Sequence, residues 1–189
     1  MRRQVNLVGN PATPALNKLD SLRNHMVYRK IESENDVNTL VPIAHEIWSD
    51  HFKTMFDKET LPKLIEGAQS KKAILSQIED GYRYFFINQD DKRIGYFAYK
   101  IDQSKNELSL SKIYVYSDKR GKGFGRKVLN HLEKLSHDAG VSKIVLTVNH
   151  KNTNSIKTYE KWGFSNLGLI KRRFENGLVV EDIKMEKSV

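Results

Sequence analysis

From Val27 onward the apolar residues recur with two alternating periods, and each change of period marks a new element. "VYRKI" (27–31) reads as a strand. In "ENDVNTLVPIAHEIWSDHF" (34–52), Val37, Leu40, Val41, Ala44, Ile47 and Trp48 fall on one stripe, the mark of an amphipathic helix. A second helical region covers about 59–80, where Ile74, Leu75 and Ile78 keep helical spacing and Asp80-Gly81 closes it. "YRYFFIN" (82–88) and "RIGYFAYKI" (93–101) then flank the turn-forming "QDDK", which predicts an antiparallel hairpin.

"ELSLSKIYVY" (107–116) is the next strand, and its alternation breaks: Leu108 and Leu110 share one parity, Ile113 and Val115 the other. A β-bulge near Ser111-Lys112 accounts for the shift, and so does a strand buried on both faces. After the glycine-rich "RGKGFG" (120–125), Val128, Leu129, Leu132 and Leu135 line one face of a helix that stops at Asp138-Ala139-Gly140. "KIVLTV" (143–148) is nearly continuous in apolar content, as in a central strand covered on both sides. Strand, helix and strand make a parallel crossover. "NTNSIKTYEKWGF" (152–164) reads as a helix ended by Gly163, and "FSNLGLIKRRF" with "LVVEDIKMEK" around "ENG" as a closing hairpin.

Length and composition fit one globular domain over 26–189, because 189 residues with 39% hydrophobic content can bury a core that folds unaided. The first 25 residues lack the apolar core of a secretory signal and any clear period. They read as a disordered or non-native N-terminal extension rather than an Arg-rich organellar presequence, with Met26 a candidate natural start. Four cations against one carboxylate put +3 of the formal +9 charge there and leave +6 for the rest. That excess suits nucleic acid, an acidic surface or a polyanionic ligand without choosing among them. The absence of cysteine excludes disulfides, thiolate metal ligation and a Cys nucleophile, and is compatible with the expected cytoplasmic location. No apolar run approaches the roughly 18 residues of a membrane-spanning helix, so no membrane partner is expected.

The glycine loop fails two known fingerprints. A dinucleotide-binding G-x-G-x-x-G needs glycine where Arg126 or Val128 stands, and no Gly-Lys-Ser/Thr of a P-loop is present. What remains is Arg120-x-x-Gly123-x-Gly125 at a strand-to-helix junction. Glycines there let backbone N–H groups approach an anion, and the helix N-terminus adds roughly half a positive charge. Lys119, Arg120, Lys122, Arg126 and Lys127 reinforce that field against Asp118 alone. Either a phosphate-bearing ligand binds here, or the stretch is a tight turn opening a solvated basic helix.

With its neighbours the loop resembles a family pattern. R-x-x-G-x-G after a strand, a buried strand ending "TVN", then Asn152-x-x-Ser155-Ile156-x-x-Tyr159-x-Lys161-x-Gly163-Phe164 is similar to the GNAT superfamily of acetyl-CoA-dependent N-acetyltransferases, over roughly 27–187. "ELSLSKIYVYSDKRGKGFG" looks nearest the bacterial spermidine/spermine-type acetyltransferases. The resemblance implies the mixed α/β GNAT fold: a twisted, mostly antiparallel sheet flanked by helices, whose central parallel pair splays apart to admit acetyl-CoA. It implies that Arg120, Gly121, Lys122, Gly123, Phe124, Gly125 and Arg126 hold the phosphates of coenzyme A. The pantetheine arm then follows the backbone of Ile113, Tyr114 and Val115, and the bulge near Lys112 turns amides toward the thioester oxygen. Asn152 and Ser155 complete the cofactor site, although Asn152 reads equally as a helix N-cap.

The implied activity is direct acetyl transfer to a primary amine of a small molecule, polyamine-like or amino-acid-like, or of a protein. Tyr159 matches the family's general acid; a phenol of pKa near 10 can protonate a thiolate whose conjugate acid lies around 8.5 to 9. The base is less legible. The strand carries no carboxylate between Leu108 and Tyr116, and Ser111-Lys112 stands where polyamine-type relatives often have an acid. Glu107 and Glu46 are the candidate bases, with His45 and His51 beside them. Glu32, Glu34, Asp36, Glu46 and Asp50 are candidates for an acidic acceptor pocket.

No metal is expected, since His45 and His51 are six apart, as are His131 and His137, rather than sharing a helix face at i,i+4. The aromatic hairpin and the positive charge would suit RNA stacking, but no RNP-like motif accompanies them, and no nucleic-acid partner is expected. An acyl-CoA-binding sensor without turnover stays open beside the enzyme, as does a homodimer, which GNAT relatives often form.

Overall fold

The structure, a computed structural model, describes residues 26–189; the expected extension over residues 1–25 lies outside the described residues. The elements run β1 (Met26–Lys30), α1 (Glu34–Phe52), α2 (Thr60–Gln69), α3 (Lys71–Glu79), β2 (Arg83–Gln89) and β3 (Lys92–Asp102). They continue with β4 (Glu107–Val115), α4 (Phe124–Asp138), β5 (Lys143–Asn149), α5 (Thr153–Lys161), β6 (Ser165–Arg173) and β7 (Val179–Ser188). The strands form one sheet in the order β1-β2-β3-β4-β5-β7-β6. Every neighbouring pair is antiparallel except β4 and β5, the two strands joined through α4. This is the mixed α/β arrangement that the sequence predicts.

Local chemistry sets the element ends. Ser33 and Asp36 form a reciprocal capping box at the start of α1. Between β2 and β3, Asp90 and Asp91 both take positive φ, 47° and 62°, as a two-residue turn of type I′ requires. The helical region expected over 59–80 is two helices. Ser70 adopts extended backbone and its hydroxyl accepts from the Ala73 N–H, so a new N-cap interrupts what periodicity alone reads as continuous.

The parity break in β4 is a bulge. Ala98 pairs with Lys112 and Tyr99 with Leu110, which leaves Ser111 as the extra residue. Its consequence is visible in the packing. Leu108 and Leu110 before the bulge, and Ile113 and Val115 after it, all face the α4 side of the sheet with Val128, Leu129 and Leu132. Tyr114 and Lys112 are thereby turned to the opposite face, where α1, α2 and α3 pack Leu40, Ile47, Trp48, Leu64 and Ile74 over Tyr84, Phe86 and Tyr96. Burial of such side chains is worth about 1.5–3 kcal/mol each and holds both helical layers to the sheet. The hairpin aromatics are thus largely core residues rather than an exposed stacking platform.

One ladder stops early. β4 and β5 pair from Glu107–Lys143 to Leu110–Leu146 and then part, so Ile113 to Val115 pair only with β3, and Thr147 to Asn149 only with β7. Among the described residues, no helix is long and apolar enough to cross a membrane.

Candidate active site

Where β4 and β5 part lies a cavity of about 740 Å³. Trp48 and Leu64 wall it on the α1–α2 side, Gly125, Tyr159 and Trp162 on the α4–α5 side, so it joins the two faces of the sheet. Ile113, Tyr114 and Val115 line it with one backbone edge that no strand occupies.

At the α4 side the loop is shaped for an anion. Gly121 and Gly123 have φ of +73° and +81°, and a Cβ at either would meet only open space. Glycine is needed there for backbone conformation, not for lack of room. Gly123 caps α4 without any side-chain hydrogen bond, which leaves the first-turn amides of Phe124, Gly125 and Arg126 without a capping side chain. Arg120 lines the cavity and pairs with Asp50 of α1 at 3.1 Å. The Phe124 ring is buried in the α4 core, so only its backbone faces the loop. Arg126 reaches toward Glu133 at 3.9 Å and lies outside the cavity wall, and Lys122 is exposed.

Tyr159 enters the cavity from α5. Its ring stacks edgewise on Trp162 at 5.7 Å and Phe164 at 5.5 Å, and its hydroxyl has no protein partner among the described residues. Burial pushes its phenol above the ordinary value, so it stays protonated and able to donate. Asn152 is the N-cap of α5, its Oδ1 accepting from the Ser155 N–H at 3.2 Å, while its Nδ2 donates to Nε2 of His51 at 2.9 Å. All three residues line the cavity. Burial first, and the Arg120 charge second, hold the His51 imidazole down to about 4, which keeps it neutral at physiological pH.

The candidate carboxylates do not gather here. Glu46 is exposed and outside the cavity wall. Glu107 lies 3.8 Å from Lys143 where the parallel ladder is closed, at the end of β4 remote from the split. Glu32, Glu34 and Asp36 pair with Lys30, Lys71 and Arg29 elsewhere. Only Asp50 of that acidic group lines the cavity, and Lys53 and Arg120 already neutralise it.

Sequence reasoning gave no side-chain role to four charged residues on the cavity wall, Lys53 just after α1 and three more. Lys112 extends from the bulge, Arg172 from β6 and Asp182 from β7, with Arg172 Nε donating to Asp182 at 2.8 Å. A signal existed for two of them: Lys112 interrupts an apolar strand, and Asp182 shares the inward parity of Val180. Among the described residues no group of His, Asp and Glu side chains could hold a metal ion.

The split parallel pair beside an uncapped glycine loop is the arrangement that the sequence resemblance implies, and comparison with known proteins agrees. The Acetyltransferase (GNAT) family pattern matches residues 42–164, and the chain belongs to that family. It is 27% identical over 141 residues to a spermidine N(1)-acetyltransferase of Thermoplasma acidophilum, covering 72% of this chain and 86% of that one. It is 26% identical over 104 residues to a streptothricin acetyltransferase of Streptomyces lavendulae, covering 55% and 52%. In fold it is similar to the PaiA N-acetyltransferase of Thermoplasma acidophilum in complex with coenzyme A, with TM-score 0.69, 24% identity, and 87% and 99% coverage. The ribosomal-protein-S18-alanine N-acetyltransferase of Escherichia coli gives TM-score 0.61 at 23% identity, with 87% and 94% coverage.

Proposed function

We propose that the protein is an acetyl-CoA-dependent N-acetyltransferase that moves acetyl directly onto a primary amine. The observation that carries this is the Tyr159 hydroxyl, without a partner among the described residues, in the cavity at the β4–β5 split. Acetyl-CoA supplies the acyl group as a thioester. Arg120 and the amides of the 121–126 loop suit its phosphates, and the unoccupied edge of Ile113 to Val115 suits an amide-bearing arm. The bulge at Ser111 frees backbone groups of β4 from the ladder beside that edge, where an oxygen gaining negative charge can be stabilised.

In the transfer, the amine nitrogen bonds to the acyl carbon and the carbon–sulfur bond breaks. Tyr159 gives its proton to the departing sulfur. The amine's proton passes to solvent, since the neutral His51 imidazole facing the cavity already has its accepting nitrogen engaged by Asn152. A second reading, an acyl-CoA-binding sensor, draws support from the lack of an unpaired carboxylate on the cavity wall. Mass analysis after incubation with acetyl-CoA and polyamines, amino acids, aminoglycosides and peptides separates them. An acetylated product establishes the enzyme; acetyl-CoA binding with no product from any acceptor class favours the sensor.

A further inference from the structure

The charges around the cavity are unevenly matched. Both of its carboxylates are already engaged, Asp50 with Lys53 and Arg120, and Asp182 with Arg172. Among the described residues Lys112 has no such partner. It is 6% exposed, and its ammonium has three donors. Two go to neutral oxygens, Gln77 Oε1 at 2.5 Å and Ser111 Oγ at 2.9 Å, and the third has no acceptor among the described residues. The ring of Tyr84 lies 5.5 Å from Nζ. Burial first, and the neighbouring Arg172 cation second, draw the Lys112 ammonium down to about 7. A buried cation without a counter-charge is costly, and a ligand anion removes that cost.

We infer that the acceptor amine carries a carboxylate, bound by Lys112 with Arg172 beside it. This rests on the acetyltransferase reading and names its substrate class. Lys112 follows the bulge residue directly and precedes the Ile113 to Val115 edge, so the anion sits close to the acceptor nitrogen. An amino-acid-like acceptor fits. A polyamine does not, because its second ammonium would meet Lys112 and Arg172 and find no unpaired carboxylate on the wall.

The test uses amines that differ only by a carboxylate: glycine against methylamine, lysine against cadaverine, with spermidine added. Steady-state rates with acetyl-CoA are measured for the wild type, Lys112→Gln, Lys112→Glu and Arg172→Gln, with a thermal melt of each variant to separate lost affinity from misfolding. The carboxylate member of each pair should have kcat/KM higher by about tenfold or more. Lys112→Gln and Arg172→Gln should raise its KM by a similar factor without a matching change for acetyl-CoA, and Lys112→Glu should shift preference toward the diamine. Preference for the decarboxylated partner or spermidine overturns the inference. So does an equal fall in kcat for every acceptor with an altered pH profile, which would make Lys112 a proton-transfer group.

Calorimetric titration of the same amines into the coenzyme A-loaded protein keeps the two proposals apart. If no acceptor is acetylated, yet glycine or lysine binds the wild type and not Lys112→Gln, the carboxylate site at Lys112 stands and the enzyme reading falls. No binding of either amino acid overturns the inference itself.

Discussion

Asn152 and His51, 101 positions apart, meet at 2.9 Å across the cavity. The direction of that bond follows from its neighbour: Asn152 Oδ1 faces the Ser155 N–H, so Nδ2 points to His51, and His51 Nε2 must accept. The imidazole therefore carries its proton on Nδ1. One side chain thus caps α5 and fixes the ring of a residue on α1, tying the two helical layers together at the split.

Stability should depend on pH through His51. Its folded value is about 4 against an ordinary 6.5, so between those values the unfolded chain binds a proton that the folded one refuses. The contribution is complete above about 6.5 and is lost as pH falls toward 4. Urea midpoints measured across that window should decline for the wild type, and the decline should be shallower in His51→Gln.

Tyr159→Phe should lower kcat by roughly a hundredfold or more, in the range of general acid catalysis, with little change in KM for acetyl-CoA. Its hydroxyl bonds to nothing among the described residues, whereas the ring contacts with Trp162 and Phe164 survive in Phe. Melting temperature should therefore stay close to that of the wild type. Equal kcat values would remove Tyr159 from the chemistry.

Arg120→Ala should raise KM for acetyl-CoA by about tenfold and weaken the salt dependence of binding. The fold should barely notice, since the Arg120–Asp50 pair is about a third exposed on both sides and such pairs contribute little. Thermal melts alongside acetyl-CoA titrations at two salt concentrations check both halves.

Gly95→Ala should destabilise the fold by about 1–3 kcal/mol or more. A Cβ there would sit 2.1 Å from the Tyr114 carbonyl oxygen, and backbone cannot swing aside as a flexible side chain does. Because the displaced strand bears the Ile113 to Val115 edge, affinity for acetyl-CoA should fall with stability. Denaturant unfolding and calorimetry measure the two effects.

Patterns within single elements were legible beforehand. The parity switch between Leu110 and Ile113 pointed to a bulge or a doubly buried strand, of which the bulge is present, and Arg120-x-x-Gly123-x-Gly125 marked a strand-to-helix junction. The break at Ser70 was hidden, because one capping hydroxyl outweighed a periodicity that ran on through it. The charged wall was hidden for a tertiary reason. Arg172 meets Asp182 as a diagonal pair across the β6–β7 hairpin, Ile170 standing directly opposite Asp182, so neither strand's own pattern announces the contact. Glu107 was misleading as a base candidate because it lies in the same strand as the split but at the closed end.

The most direct test of the central claim is calorimetric titration of acetyl-CoA into the full chain and into Gly123→Asp. The substitution sets a side chain and a negative charge where φ is +81° and the amides of α4 begin. Saturable one-to-one binding by the wild type, on the order of micromolar to submillimolar, with none by Gly123→Asp, is the predicted result. No heat from the wild type, or equal binding by both proteins, would contradict the reading of the split and its glycine loop as an acetyl-CoA site.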